Sequence, residues 1–157
     1  MLPITVVAES VDTSGALAMV HAASDELQQR YGGEGDNKHL MVDELRPPLG
    51  LFLVARHNRD LVGGVGLRSI SDPDLHLAEV KRLWVRPDLR REGIGLALMH
   101  EIEIHAKELG YVRLFLETGP AQPEALALYR SHGWTEIEKY PDGVFSHPPA
   151  HRFSKDL

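Results

Sequence analysis

The sequence lacks cysteine entirely among its 157 residues. Disulfide bonds, thiolate zinc sites and a cysteine nucleophile are therefore excluded. Aromatic residues make up only 6% of the chain, and no apolar run approaches the ~20 residues that a membrane-spanning helix needs. Basic residues are in the minority, with 17 Lys and Arg against 23 Asp and Glu. The resulting net charge of −6 makes the chain a poor match for a nucleic-acid backbone, so we expect no nucleic-acid partner, and the short apolar runs predict no membrane partner.

The remaining composition is that of an ordinary globular protein, with 43% apolar and 25% charged residues. The length fits one domain, residues 1–157, with a sizeable core. The stretch from Met1 to Glu9 has neither a basic start nor a long apolar segment, so no secretory signal is predicted. We therefore expect a cytoplasmic protein.

The spacing of apolar residues changes along the chain and predicts a mixed α/β (α+β) fold. The expected element order is βααβββαβαββ, in which antiparallel strands come first and a βαβ crossover follows. Predicted strands cover residues 4–8, 51–55, 61–70, 77–85, 111–117, 134–138 and 151–153, and predicted helices cover residues 15–31, 38–48, 91–109 and 123–131.

A basic turn that contains glycine separates the predicted strand 77–85 from the following helix. The first amides of a helix lack internal acceptors and carry partial positive charge. Gly93 and Gly95 have no Cβ, so the backbone there can approach a bulky anion, and Arg90 and Arg91 add charge. The turn therefore predicts a pyrophosphate site built from main-chain donors. The alternative is that both glycines only allow the helix to pack closely on the sheet.

Other phosphate and metal motifs fit less well. A P-loop requires a lysine after the glycines, and a dinucleotide fingerprint requires glycine or alanine where Leu98 stands. His100 and His105 are five residues apart, which places them on different faces of a helix. No metal site is therefore predicted.

Two segments together resemble the GNAT superfamily of N-acetyltransferases. Arg90-x-x-Gly93-x-Gly95 is similar to the acetyl-CoA-binding motif of that family, and residues 125–134, Ala-x-x-Leu-Tyr-x-x-x-Gly-Trp, are similar to its A-x-x-L-Y-x-x-x-G-F segment. The resemblance implies a central, mixed and mostly antiparallel sheet of six to seven strands flanked by about four helices. It also implies transfer of an acetyl group from acetyl-CoA, without a metal, to a primary amine of a small molecule.

The resemblance assigns cofactor contacts by position. The strand over residues 77–85 would separate from the strand over 111–117, and its end would pair with the pantetheine arm and thioester. Amides at the start of the following helix would hold the pyrophosphate, and Gln122 would contact the pantetheine chain. The implied cofactor-binding residues are Leu83, Trp84, Val85, Arg90, Arg91, Glu92, Gly93, Ile94, Gly95, Leu96, Gln122 and Tyr129.

The same resemblance implies two catalytic residues. Tyr129 would be the general acid that protonates the departing thiolate of CoA; alternatively, it is an aromatic anchor that packs a helix on the sheet. Glu79, expected to be half-buried beside the thioester, would be the base that deprotonates the amine directly or through water. Alternatively, Glu79 is a strand carboxylate paired with Lys81 or Arg82.

Recognition of the acceptor is the least determined part of the site. Glu34 and Asp36 lie in an acidic loop that would meet a cationic amine, unless the loop is simply solvated. Arg82, like Arg46 and Arg68, would instead bind a carboxylate if the acceptor were an amino acid. Two alternatives stay open. One is an enzyme that acetylates a protein lysine or N-terminus, and the other is a non-catalytic CoA-sensing or partner-binding module. The family often forms dimers, so the resemblance adds a homodimer as an expected partner without locating its interface.

Overall fold

A computed structural model describes residues 2–32, 42–70, 73–119, 122–146 and 150–157. Within these residues, seven strands form one sheet flanked by three α-helices, as the α/β prediction requires. The strands are β1 (Thr5–Ala8), β2 (Leu51–His57), β3 (Asp60–Ile70), β4 (Leu77–Val85), β5 (Arg113–Thr118), β6 (Thr135–Ile137) and β7 (His151–Asp156). The helices are α1 (Ser14–Tyr31), α2 (Ile94–Glu108) and α3 (Pro123–Ser131).

The strand order across the sheet is β1-β2-β3-β4-β5-β7-β6. Neighbouring strands are antiparallel except β4 and β5, which are parallel and joined through α2. The predicted antiparallel start and βαβ crossover are therefore confirmed. The helix predicted over residues 38–48 differs: its described part contains only one turn of 3-10 helix, Val42–Leu45. Pro47 and Pro48 follow after Arg46 and lack the amide donors that would continue a helix.

The sheet has an apolar cluster on each face. Leu98 and Ile102 of α2 pack with Leu114, Leu116 and Phe153 on one face. The spacing of four residues on α2 places its apolar side chains in one stripe, which explains why this segment is an amphipathic helix. On the other face, α1 packs against β2 through residues 16, 20, 52 and 54.

A β-bulge interrupts the pairing of β4 with β3. Lys81 pairs with Gly66 and Trp84 with Gly64, so two residues of β4, Arg82 and Leu83, lie opposite one residue of β3. Arg82 has a positive φ of 58°. Because one residue is inserted, Leu83 contacts the α2-side cluster, as Val80 does, whereas Lys81 and Arg82 both lie on the α1 side. The Arg82 Nε atom donates a hydrogen bond to Ser24 Oγ of α1, 3.0 Å away.

Candidate active site

Strands β4 and β5 are paired only over their first halves. The register joins Leu77 to Arg113, Ala78 to Leu114 and Glu79 to Phe115, and ends there. Beyond that point the strands separate and leave an open space of about 580 Å³. This cleft is lined by α1, the second half of β4, the end of β5 and the start of α3, and it passes through the sheet from α1 to Tyr129. The separation expected from the resemblance is thus present.

Tyr129 lies on α3 where the cleft reaches the α2 side of the sheet. Its ring centroid lies 6.1 Å from that of Trp134 and 5.6 Å from that of Phe153. Burial raises the pKa of Tyr129, so its phenol keeps its proton throughout the neutral pH range. Tyr129 is therefore both the aromatic anchor and a protonated donor that lines the cleft.

Glu79 is fully buried, so the expectation that it is half-buried is wrong. Its partner is Arg68, directly opposite on β3: the Arg68 Nε and Nη2 atoms each lie 2.8 Å from Glu79 Oε1. Glu79 pairs with Arg68 rather than with the expected Lys81 or Arg82, because directly opposed residues of neighbouring strands are nearest on one face of a sheet. The proposed base is therefore held as one half of a buried ion pair.

Tyr140 adds a second buried polar group near Glu79. The Tyr140 hydroxyl and Glu79 Oε2 are both buried, and the Glu79 carboxylate acts on the Tyr140 phenol. Burial raises the pKa of Tyr140, and the carboxylate charges of Glu79 and Glu117 act in the same direction. The phenol is therefore neutral and able to donate. Its position depends on a chain segment after β6 that the sequence pattern leaves unassigned.

The end of β5 supplies two cleft residues that the sequence analysis missed. Glu117 lines the cleft and accepts a hydrogen bond from Ser146 Oγ at 2.6 Å. Thr118 also lines it and is buried, and its Oγ1 has no hydrogen-bond partner in the described part of the chain. Strand periodicity does not reveal where two strands separate, so nothing in the alternating pattern distinguished this end of β5.

The turn before α2 has the backbone that its glycines predict. Gly93 is the N-cap of α2, with a left-handed φ of 85° that favours glycine. A Cβ added at Gly95 would meet Leu128 Cδ2 and Val85 Cγ2 at 3.8 Å, an ordinary contact distance. Packing of the protein therefore does not require glycine at position 95, in contrast to Gly63, where a Cβ would lie 2.8 Å from a backbone carbonyl. The absence of a side chain at Gly95 leaves the start of α2 open to a ligand.

The remaining residues predicted around this turn differ in exposure. Arg91, Glu92 and Leu96 are exposed, whereas Ile94 is buried in the core, so only its backbone can serve a ligand. Leu83 and Trp84 line the cleft.

Arg90 is engaged within the protein. Its Nε donates to the Val85 carbonyl at 2.9 Å, and its Nη2 lies 2.6 Å from Glu26 Oε1 of α1. The Val85 carbonyl, expected to meet the pantetheine arm, therefore already accepts a hydrogen bond. Arg90 thus ties α1 to the turn on one wall of the cleft.

The end of α1 also contacts the other wall. Gln122 lines the cleft, and its Oε1 accepts hydrogen bonds from the Gly119 amide at 3.1 Å and the Tyr31 hydroxyl at 3.3 Å. Arg30 Nη2 lies 2.7 Å from Glu124 Oε1 at the start of α3. Helix α1 therefore bridges the two walls of the cleft through its last two turns.

The residues predicted to bind the acceptor fall in three different places. Arg82 is buried and lines the cleft, whereas Arg46 is half-exposed in ion pairs with Asp12 and Asp43. Glu34 and Asp36 lie outside the described residues. Within the described ranges, no three His, Cys, Asp or Glu side chains are grouped to hold a metal ion. No described helix is long and apolar enough to cross a membrane.

Comparison with known proteins gives consistent matches. Residues 18–134 match the model of the "Acetyltransferase (GNAT) family". The "IAA acetyltransferase" of Azospirillum brasilense is 33% identical over 150 residues, which cover 96% of this chain and 95% of that protein.

Two solved structures share the fold. An acetyltransferase from Streptococcus agalactiae superposes with a TM-score of 0.77 at 18% identity, over 98% of each chain. A GNAT family acetyltransferase from Elizabethkingia anophelis, solved with acetyl-CoA bound, superposes with a TM-score of 0.69 at 20% identity, also over 98% of each chain.

Proposed function

The chain belongs to the GNAT family of acetyltransferases, and we propose that it transfers the acetyl group of acetyl-CoA to a primary amine of a small molecule by direct attack in a ternary complex. The observation that carries this proposal is the cleft between β4 and β5, with the protonated phenol of Tyr129 at one end. The absence of cysteine agrees with direct attack rather than a thioester-linked enzyme intermediate.

The residues around the cleft fit acetyl-CoA. The open backbone at Gly95 and the left-handed Gly93 would let the amides of residues 91–96 approach its pyrophosphate. Leu83, Trp84 and Gln122 line the path that its pantetheine arm would take between the strands. The acetyl-CoA found in the Elizabethkingia anophelis structure supports this assignment.

In this reaction the acceptor nitrogen loses two protons and the sulfur of CoA gains one. The ammonium of the acceptor first loses a proton, and the free amine then attacks the thioester carbonyl. As the carbon–sulfur bond breaks, its electron pair stays on sulfur, and Tyr129 supplies the proton that the thiolate takes up. The amide nitrogen releases the second proton, which restores the tyrosine through solvent, so one proton is released per turnover.

Glu79 stays the predicted base. Because it is fully buried, it would act through an intervening group, such as water or the Tyr140 hydroxyl. Glu117 reaches the cleft directly and is the second candidate for this step.

The position of α1 supports a small acceptor. Glu26 pairs with Arg90 and Arg30 pairs with Glu124, so the helix lies across the cleft and is ion-paired to both walls. An extended protein segment needs an open groove, whereas α1 narrows the path by which an acceptor can enter the cleft. A cytoplasmic location and a homodimer stay predictions.

Release of free thiol from acetyl-CoA tests the proposal when the protein is incubated with a panel of small amines. We expect amine-dependent release above the rate of hydrolysis without amine, together with acetylated product in mass spectra. CoA binding without thiol release for any acceptor would favour a CoA-sensing module. Release only with peptides would favour a protein acetyltransferase, and no heat on titration with CoA would contradict acetyl transfer altogether.

A further inference from the structure

A polar residue ends an otherwise apolar face of β5. Leu114 and Leu116 contact the α2-side cluster, whereas Phe115 between them belongs to a different cluster. Because side chains alternate along a strand, Thr118 lies on the same face as the two leucines. The pattern predicts an apolar residue at position 118, and valine has nearly the same shape as threonine. The hydroxyl group of Thr118 therefore departs from what packing alone requires.

This hydroxyl group is buried without compensation. Thr118 is 5% exposed, and its Oγ1 atom has no hydrogen-bond partner in the part of the chain that the structure describes. Other buried side-chain oxygens have a polar neighbour. Glu103 Oε1 lies 2.6 Å from Lys155 Nζ, and the carboxylate of Glu79 acts on the phenol of Tyr140. A buried hydroxyl without a hydrogen bond lowers the stability of the fold, so its presence calls for a functional explanation.

Thr118 lines the cleft at a fixed position. On one edge of β5 it is paired with His151 of β7, whereas on the other edge the pairing with β4 ends at Phe115. Thr118 thus lies about 10 Å along the strand beyond the last pair. Tyr129, the expected proton donor to the sulfur of CoA, lines the same cleft and contacts the same α2-side cluster. We therefore expect the thioester end of acetyl-CoA on this side of the cleft.

We propose that Thr118 is a binding residue for acetyl-CoA, whose hydroxyl donates a hydrogen bond to a carbonyl oxygen of the acetylated pantetheine arm. That arm carries amide and thioester carbonyl groups, and a threonine hydroxyl is a suitable donor to either. The protein itself covers the Oγ1 atom, and rotation about the Cα–Cβ bond between staggered positions turns it toward the arm. This inference rests on the proposed function, because it requires acetyl-CoA in the cleft.

Two variants separate the hydroxyl group from the shape of the side chain. Thr118→Val keeps the shape, and we expect it to bind acetyl-CoA about five- to tenfold more weakly in calorimetric titration without an amine. Its melting temperature without ligand should rise, because a buried polar group without a partner is removed. Thr118→Ser keeps the hydroxyl and loses a methyl group, so it should bind almost as tightly as the unmodified protein and melt at a lower temperature. General damage to the fold cannot produce this opposite order of stability and affinity.

Titration with CoA identifies the carbonyl group that Thr118 binds. If Thr118→Val weakens the binding of acetyl-CoA alone, the partner is the thioester carbonyl. If it weakens the binding of CoA equally, the partner is an amide carbonyl of the arm, and the proposal stands in both cases. Thr135→Val is the matched control, because Thr135 is exposed on β6, and it should bind both ligands as the unmodified protein does.

Two results would overturn the inference. The first is a Thr118→Val variant that binds both ligands as tightly as the unmodified protein, because the hydroxyl would then contact neither. The second is a Thr118→Val variant that is less stable than the unmodified protein or does not fold, because the hydroxyl would then be satisfied within the protein. In both cases, heat on titration of the unmodified protein with CoA shows that the cofactor assignment stands. If the unmodified protein gives no heat, the proposed function fails, and this inference fails with it.

Discussion

Arg68 and Glu79 face each other directly across strands β3 and β4, with the Arg68 Nε atom 2.8 Å from Glu79 Oε1. Glu79 has no exposed surface and Arg68 has little. Removing one partner of such a pair leaves a buried charge without compensation. We expect Arg68→Met to lower the free energy of unfolding by about 3–5 kcal/mol, measured by urea denaturation.

A double variant provides the control for this prediction. Arg68→Met combined with Glu79→Leu removes both charges, so it should be more stable than Arg68→Met alone. A loss below about 1 kcal/mol in the single variant would contradict a buried pair, because that is the range of exposed ion pairs.

Substitution of Gly95 should weaken CoA binding without lowering the stability of the fold. Alanine fits at this position at ordinary contact distance and favours a helix over glycine by up to about 1 kcal/mol. We therefore expect Gly95→Ala to keep or slightly raise the melting temperature while weakening CoA binding, and Gly95→Val to weaken binding further. Calorimetric titration with CoA and thermal unfolding measure the two effects separately.

Gly50 provides the comparison for a glycine that packing requires. A Cβ there would collide with the Glu44 carbonyl, so Gly50→Ala should lower the melting temperature clearly. If Gly95→Ala lost stability in the same way and bound CoA as tightly as the unmodified protein, the open backbone at the start of α2 would not serve the cofactor.

Tyr129 should be needed for turnover more than for binding. Because burial keeps its phenol protonated, its removal takes away a proton donor at every pH of a practical assay. We expect Tyr129→Phe to lower kcat by about a hundredfold with nearly unchanged CoA affinity. Tyr111→Phe is the matched control: Tyr111 is buried and donates to the Leu49 carbonyl away from the cleft, so its loss should affect stability and leave kcat intact. Equal kcat in the unmodified protein and Tyr129→Phe at all pH values would remove the acid role.

The parts of the site that follow from local sequence could be predicted. The glycines that open α2 and the tyrosine of α3 lie in short motifs, and the parallel pairing of β4 with β5 follows from the helix between them. These features depend on residues close together in the chain, where backbone freedom and apolar spacing determine the structure.

Contacts that depend on strand register could not be predicted. The partner of Glu79 is set by which residue of β3 lies opposite, and the bulge in β4 falls at Arg82, a residue with a side chain, rather than at a glycine of that strand. The contact between Glu26 and Arg90 joins residues 64 positions apart, and no periodic pattern encodes it. These are the features that turn Arg82 toward α1 and place α1 across the cleft.

Glu124 should make the attachment of α1 dependent on pH. Burial acts to raise the pKa of Glu124. The hydrogen bond from its own backbone amide, the pairing with Arg30 and the charge of Arg90 all act to lower it and together outweigh burial. The pKa of Glu124 is therefore lowered below the ordinary 4.5. A carboxyl whose pKa is lowered in the folded state contributes stability above its ordinary pKa, and this contribution is lost as the pH falls through the lowered value. We expect the melting temperature of the unmodified protein to exceed that of Glu124→Gln above pH 4.5 and the two to converge in more acidic solution. Arg30→Gln should remove most of the same difference, because it deletes the 2.7 Å partner without changing the carboxyl group. Parallel melting curves for the unmodified protein and Glu124→Gln across this pH range would show that the ion pair does not hold α1 to α3.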